Sequence, residues 1–303
     1  MNKLDWIAVD WGTSSLRAWG IDAAGKVLWE ETSDKGMGGL EPAEFEPIFL
    51  DLIAAHVAGL ERIEAIACGM VGARQGWVEA SYRAVPCLPL DVAEMKQAPT
   101  RDPRLRFRII GGLSQQKPAD VIRGEETQIA GFQAQNPAFD GVLCLPGTHT
   151  KWVQLSAREV VSFQTCMTGD LFAAISGHTV LRHSVNTTDW DAEAFAAAVD
   201  EAVSHPERLA ARLFSLRAEG LLGDLPAGAA RARLSGFLIG AELAATRPYW
   251  LGQAVAIIGA GGLSRNYATA LELLGVAAIV AKGDTMVLTG LTAARALDKG
   301  KIA

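Results

Sequence analysis

The chain has 303 residues, half of them hydrophobic and a fifth charged, which is too long for one ordinary core and too apolar for a disordered protein. A net charge of −6 with a pI near 5.5 argues against nucleic acid and anionic membrane surfaces as partners. No apolar run approaches a membrane span, and Asp5 and Asp10 interrupt the N-terminal apolar residues, so no signal peptide is expected.

Ile7–Val9 reads as a buried strand, Gly12-Thr13-Ser14-Ser15 as a tight turn, and Leu16–Ile21 as the returning strand. Gly12 lets backbone approach a ligand closely, and Thr13, Ser14 and Ser15 set hydroxyls beside backbone N–H groups, a turn suited to phosphate. Asp10 at the strand end can hold a hydrated magnesium ion, and Arg17 adds a fixed positive charge. An ordinary hairpin with a polar turn fits the same residues. Ala43–Gly59 carries a helical apolar stripe: Phe45, Ile48, Phe49, Leu52, Ile53 and Val57.

Ile63–Cys68 is a further strand, and the loop Gly69–Trp77 follows it directly. Open α/β sheets bind ligands beyond the carboxyl ends of their strands. Arg74, Gln75 and Trp77 offer a guanidinium, an amide and an aromatic surface there, and Arg74 suits a bidentate grip on a carboxylate. A surface arginine in a turn is the plainer alternative. Residues 81–107 hold four prolines and read as irregular, and Arg108–Gly112 as a strand and turn. The polar stretch Gln115–Pro118 marks the expected boundary between domains 1–117 and 118–303.

Glu125 and Glu126 open a helix, where acids are favoured by the helix dipole alone. From Val142 the first hairpin is echoed: an apolar run, Gly147-Thr148-His149-Thr150, the cation Lys151, then Trp152 and a strand. Asp170 starts the next helix behind the possible cap Thr168. Helices are expected over 190–203, 206–217 and 229–245, with Arg212, Arg217, Arg231 and Arg233 on a solvated face. Ala254–Ile258 is a buried strand, and Gly259-Ala260-Gly261-Gly262 opens a helix whose N–H groups can face an anion. A dinucleotide motif is disfavoured because its third glycine would fall at Ser264. Val276–Ala281 is one more strand, and Asp284–Leu297 the closing helix. The cysteines, Cys68, Cys87, Cys144 and Cys166, form no Cys-x-x-Cys pair and are expected as free thiols in a reducing cytoplasm.

The two hairpins and the late glycine loop resemble the sugar kinase, Hsp70 and actin superfamily. Within it the chain resembles the 2-dehydro-3-deoxygalactonokinase family. The resemblance rests on Asp10-Trp11-Gly12-Thr13-Ser14, Gly124-Glu125-Glu126-Thr127-Gln128, Pro146-Gly147-Thr148-His149 with Lys151-Trp152, and Met167-Thr168-Gly169-Asp170-Leu171, and it spans residues 5 to about 295. It implies an α/β, two-domain actin-like ATPase (ribonuclease H-like) fold with an interdomain nucleotide cleft. The first domain would take substrate and phosphate, the second nucleotide, with helix 284–297 near the hinge. The implied reaction is phosphorylation of 2-dehydro-3-deoxy-D-galactonate at its terminal 6-hydroxyl, with ATP and Mg2+ as cofactors.

By the same resemblance, Glu125 or Glu126 is the general base. Position after Gly124 favours Glu125; alignment on acid-Thr favours Glu126. Asp10 would position magnesium. Gly12, Thr13, Ser14, Arg17, Gly147, Thr148 and Lys151 would hold phosphate, Gly259, Gly261 and Gly262 the adenosine, and Arg74, Gln75, Trp77 and Asp170 the substrate. The rival readings are a same-fold kinase for another sugar or sugar acid, and a nucleotide-binding sensor. A homo-oligomer is left open.

Overall fold

The structure is a computed structural model that describes residues 3–259 and 261–300. It divides into two compact units, Met1–Phe139 with Ala157–Ser162 and Gly283–Ala303, and Asp140–Ser156 with Phe163–Lys282. The expected boundary at residue 117 falls inside the first unit. Gln115–Pro118 is polar because it turns a hairpin, where the Gln115 side-chain amide donates to the Pro118 carbonyl at 3.0 Å.

The first unit begins with β1 (Leu4–Trp11), β2 (Leu16–Asp22), β3 (Val27–Ser33), α1 (Phe45–Val57) and β4 (Ile63–Cys68). The short strands β5 (Tyr82–Ala84) and β6 (Lys96–Gln97) follow, then β7 (Leu105–Ile109), the hairpin β8 (Gly112–Gln116) and β9 (Ala119–Ile122), and α2 (Glu125–Gln135). Its main sheet runs β3-β2-β1-β4-β7-β6. Side chains alternate across β1. Ile7, Val9 and Trp11 pack with Phe45, Phe49, Trp77 and Phe107 on one face. Trp6 and Ala8 pack with Ala130, Val287 and Leu291 on the other. Burial on both faces is why β1 reads as a continuous apolar run rather than an alternating one.

The second unit repeats the plan. Its elements are β10 (Gly141–Leu145), β11 (Thr150–Ser156), β12 (Glu159–Cys166, of which the part to Ser162 counts with the first unit), α3 (Thr168–His178), α4 (Arg182–Val185), α5 (Ala192–Ser204), α6 (Leu209–Leu222), α7 (Ala227–Ala245), α8 (Arg247–Trp250), β13 (Val255–Gly259), α9 (Gly261–Leu273) and β14 (Ala278–Lys282). Its sheet order, β12-β11-β10-β13-β14, matches β3-β2-β1-β4-β7 strand for strand. In both sheets the first two strands pair antiparallel and the later strands join in parallel. This duplicated ribonuclease H-like topology is the two-domain α/β fold of the actin-like ATPases. Residues 168–250 are the helical insertion between the third and fourth strands of the second repeat. There α5 and α7 pack closely, because a Cβ on Gly236 or Gly240 would lie 2.6–2.7 Å from an α5 carbonyl oxygen.

The chain then returns to the first unit as α10 (Gly283–Asp298). α10 crosses α2 at backbone contact distance: Gly131 faces the Met286 carbonyl and Gly290 the Thr127 carbonyl. The two helices occupy equivalent places in the two repeats. They also start alike, Arg123-Gly124-Glu125-Glu126-Thr127 and Lys282-Gly283-Asp284-Thr285.

Candidate functional site

In the first unit the site is built on the ends of β1 and β4. Register sets Asp10 opposite Arg17 across the hairpin and beside Cys68 in the parallel pair. Arg17 reaches two carboxylates, Asp10 at 3.3 Å and Asp284 at 2.8 Å. Burial raises the Asp10 carboxyl above its usual value, against the pull of Arg17, and the charge of Asp284 pushes the same way. The hydrogen bond from Arg17 lowers that of Asp284. Asp284 is a residue that sequence reasoning missed. Its signal was present in the Gly-acid-Thr echo at the start of α10.

The turn after β1 is held from behind. The Gly12 and Thr13 carbonyls accept from the Met37 and Gly38 N–H groups at 3.0 and 2.9 Å. Gly36 packs so closely that a Cβ would lie 2.3 Å from the Thr13 oxygen. Thr13, Ser14 and Ser15 are left exposed.

The start of α2 lies against the same strand ends. Gly124 takes a φ of +101°, and a Cβ there would lie 3.2 Å from the Gly69 Cα. Glu125 and Glu126 have different surroundings. Glu126 is fully buried. Its carboxylate accepts from the Gly124 N–H at 2.6 Å and the Thr127 hydroxyl at 3.0 Å. Burial, then the charge of Glu125, raises its pKa to about 7. Glu125 stays partly exposed and accepts from the Arg123 N–H at 3.0 Å. Cys68 is buried, and its thiol is pushed well up by burial and by the charges of Asp10 and Glu126.

The expected substrate loop is divided. Arg74 and Gln75 are exposed. Trp77 is 5 % exposed, stacked on Phe45 and tilted against Phe107 with ring centroids 6.1 and 4.7 Å away. The expectation of a substrate-facing Trp77 is therefore corrected: its ring fills the core under α1. An aromatic residue after a polar turn carries no sign of which way it faces.

In the second unit, the second turn and the glycine loop line one cavity of about 840 Å³. Gly147, Thr148 and Gly262 border it, together with Phe172, Trp190, Arg231 and Arg265. Arg231 is thus not on a plain solvated face, since its guanidinium lies 5.0 Å from the centre of the Phe172 ring. Gly261 has a φ of +67°, Gly259 ends β13, and Ala260 lies outside the described residues. Lys151 is 7 % exposed and its Nζ donates to the His149 carbonyl at 2.9 Å. Asp170 is half-exposed; its N–H donates to the Thr148 carbonyl, and its carboxylate meets His149 at 3.4 Å. Thr168 is not a cap, because its hydroxyl donates to Glu242.

Glu242 gathers the walls of this cavity. Its buried carboxylate accepts from the Trp152 indole N–H at 2.7 Å, the Tyr267 hydroxyl at 2.8 Å and the Thr168 hydroxyl. Those donors come from β11, α9 and α3, and Glu242 itself lies on α7. Burial raises its pKa, and the three donors pull it back. Glu242→Ala leaves buried donors unsatisfied, and each costs about 1–3 kcal/mol. We expect a loss of about 3 kcal/mol or more in urea unfolding.

Among the described residues no three His, Cys, Asp or Glu side chains gather as a metal cage, and no helix is long and apolar enough to cross a membrane.

The model of the 2-keto-3-deoxy-galactonokinase family matches residues 10–294. The chain is 42% identical over 293 residues to a Rhizobium meliloti (strain 1021) protein named "Probable 2-dehydro-3-deoxygalactonokinase DgoK1", covering 95% of each. It is 31% identical over 289 residues to the 2-dehydro-3-deoxygalactonokinase of Escherichia coli (strain K12), covering 94% of this chain and 96% of that one. A crystal structure from Sinorhizobium meliloti bearing the same kinase name superposes with a TM-score of 0.91 at 40% identity, over 97% of this chain and 99% of that one. With the duplicated fold and the two polar sites in place, this chain belongs to the 2-keto-3-deoxy-galactonokinase family.

Proposed function

We propose that the protein transfers the γ-phosphoryl group of ATP to the terminal 6-hydroxyl of 2-dehydro-3-deoxy-D-galactonate. The observation that carries this reading is the pair of unlike carboxylates at the start of α2, next to the strand ends that bear Asp10 and Arg17, in a chain of this family. Phosphoryl transfer is mainly positioning and electrostatics.

Glu125 takes the proton from the attacking hydroxyl. A base must touch the group it deprotonates, and of the two acids Glu125 is the one left partly open. Glu126, sealed beneath and bound to the Gly124 N–H, holds the start of the helix in place. Arg17, Thr13 and Ser14 in the first unit are donors for phosphoryl oxygens, and Gly147, Thr148 and Lys151 are donors of the same kind in the second. The 840 Å³ cavity takes the nucleoside. Asp10 and Asp284 fit a hydrated magnesium ion: two carboxylates share one guanidinium, and Mg2+ needs only one or two protein carboxylates beside water and phosphate oxygens. When bound it would offset phosphate charge. The four cysteines, held as thiols, suit a reducing cytoplasm.

The test is ADP release with ATP and magnesium, offering 2-dehydro-3-deoxygalactonate, its gluconate epimer and galactose in parallel. Turnover of the first far above the others is the expected result. Turnover of galactose alone would leave a kinase with a different substrate. ATP binding with no turnover of any of the three would overturn the assignment.

A further inference from the structure

The first unit contains a buried cation with no anion. Arg123 is 8 % exposed. Its Nε donates to the Tyr82 hydroxyl at 3.2 Å and its Nη2 to the Ala80 carbonyl at 2.8 Å. The Tyr82 ring covers the guanidinium, 4.1 Å from its central carbon. These partners are all neutral. Nη1 is buried with no partner, and among the described residues no ion pair within 4 Å reaches its guanidinium nitrogens; the Glu125 carboxylate meets the Arg123 backbone N–H. The other buried arginine of this unit, Arg108, differs: Asp298 takes both of its terminal nitrogens, at 2.5 and 2.6 Å. Desolvating a charge costs several kcal/mol unless a counter-charge and hydrogen bonds offset it, so an uncompensated Arg123 is a site prepared for an anion.

Its place in the fold says which anion. Nη1 lies under the turn Met70–Gly72: a Cβ on Gly72 would stand 3.0 Å from it and 2.7 Å from the Ile109 side chain, so only glycine fits there. This turn begins the loop after β4. Its first residue, Gly69, abuts Gly124, and Glu125 is two residues beyond Arg123. The orphan donor, the acceptor-side loop and the proposed base therefore form one patch. Arg74 is on the same loop, but it is exposed and already solvated, so it gains less from pairing.

We propose that Arg123 is the carboxylate anchor of the acceptor site, taking the acid group of the substrate on Nη1 after a small shift of the Met70–Gly72 turn. This rests on the acid-kinase reading above and goes one step further, by assigning selectivity for acids over neutral analogues to one side chain.

The test compares wild type, Arg123→Met, Arg123→Lys and Arg74→Ala, using 2-dehydro-3-deoxygalactonate and its C1 carboxamide. Binding of each without ATP is followed by calorimetry, and steady-state rates are measured with ATP. Arg123→Met should weaken the acid about 100-fold or more, in line with the loss of a buried charge-assisted pair. It should erase the preference for acid over amide and leave the KM for ATP within about threefold. Arg123→Lys, which keeps the charge but not the planar fork, should fall between. The melting temperature of Arg123→Met should not fall, because an unpaired buried cation is removed; a purely structural arginine would give a clear drop. Retained acid preference in Arg123→Met, or its loss in Arg74→Ala, overturns the anchor. Wild type that binds the acid without transferring phosphate sinks the kinase reading, while the binding comparison still decides the anchor. Wild type that does not bind the acid sinks both.

Discussion

Glu125→Gln should lower kcat by about 10²–10⁴-fold, the range set by losing a positioned general base, with both KM values close to wild type. Gln keeps the shape and can still accept from the Arg123 N–H, so the helix start should survive. Glu126→Gln should behave differently. It removes a buried carboxylate that does not reach solvent, and kcat should stay within about tenfold of wild type. If Glu126→Gln instead proves the crippled enzyme and Glu125→Gln the mild one, the proton acceptor is the second acid.

The Glu126 change should show in stability. Its carboxyl is raised from 4.5 to about 7 in the folded chain, so between those values the native state binds more protons than the unfolded one. Stability of the wild type therefore falls as pH rises from about 4.5 to 7 and levels off above. The full effect of such a shift is about 3 kcal/mol. Glu126→Gln should lack this fall. It should match or exceed the wild type at pH 8 and lose that advantage below pH 4.5, as measured by urea unfolding across pH. A fall of the same size in the variant would show that another group titrates.

Gly290→Ala should cost about 3 kcal/mol or more, the upper end for forcing extra volume into a packed contact. The added Cβ would stand 1.9 Å from the Thr127 carbonyl oxygen and 2.8 Å from its carbon. Both are backbone atoms of α2, so no rotamer change can relieve the clash, and α10 must move away. That shift also draws Asp284, in the first turn of α10, from Arg17. Activity should therefore fall further than the loss of folded protein explains. Gly177→Ala is the control: it is in α3 with nothing within 4 Å of the new Cβ, and alanine there should be neutral or stabilising by about 0.5–1 kcal/mol. Equal melting temperatures for the two variants would show that the crossing of α2 and α10 is looser than the backbone distances imply.

Local pattern was legible where one chemical signal decides one structure. The turns after β1 and β10 carry glycine and hydroxyls because tight turns favour them. The stripe on α1 buries Phe45, Phe49, Ile53 and Val57, as its spacing required. The Gly-rich start of α9 borders the cavity that also takes in Gly147 and Thr148. Site residues defined by long-range partners were harder to see. Asp284 joins Arg17 across 267 residues, and Glu242 meets Trp152 across 90. Arg123 carries no signal of its own in the sequence, because nothing in its neighbours shows that its side chain turns inward beneath Gly72. Trp77 was misplaced for the converse reason: it sits in a loop of polar and small residues, yet its ring is buried.

By itself the sequence determined the repeat of strand-turn-strand units, the glycine- and hydroxyl-bearing turns, the family, and the pair of adjacent acids at the start of α2. These follow from residue type and spacing within about a dozen positions, the range over which turn chemistry and strand or helix periodicity act. Tertiary structure alone decided which of two adjacent glutamates is open and which is sealed, which arginine lacks a counter-charge, and which acid completes the Asp10–Arg17 pair. Burial and pairing depend on what the rest of the chain brings alongside. Two neighbours in sequence, Glu125 and Glu126, differ in their electrostatics because one carboxylate is packed beneath Gly124 and Thr127 and the other is not.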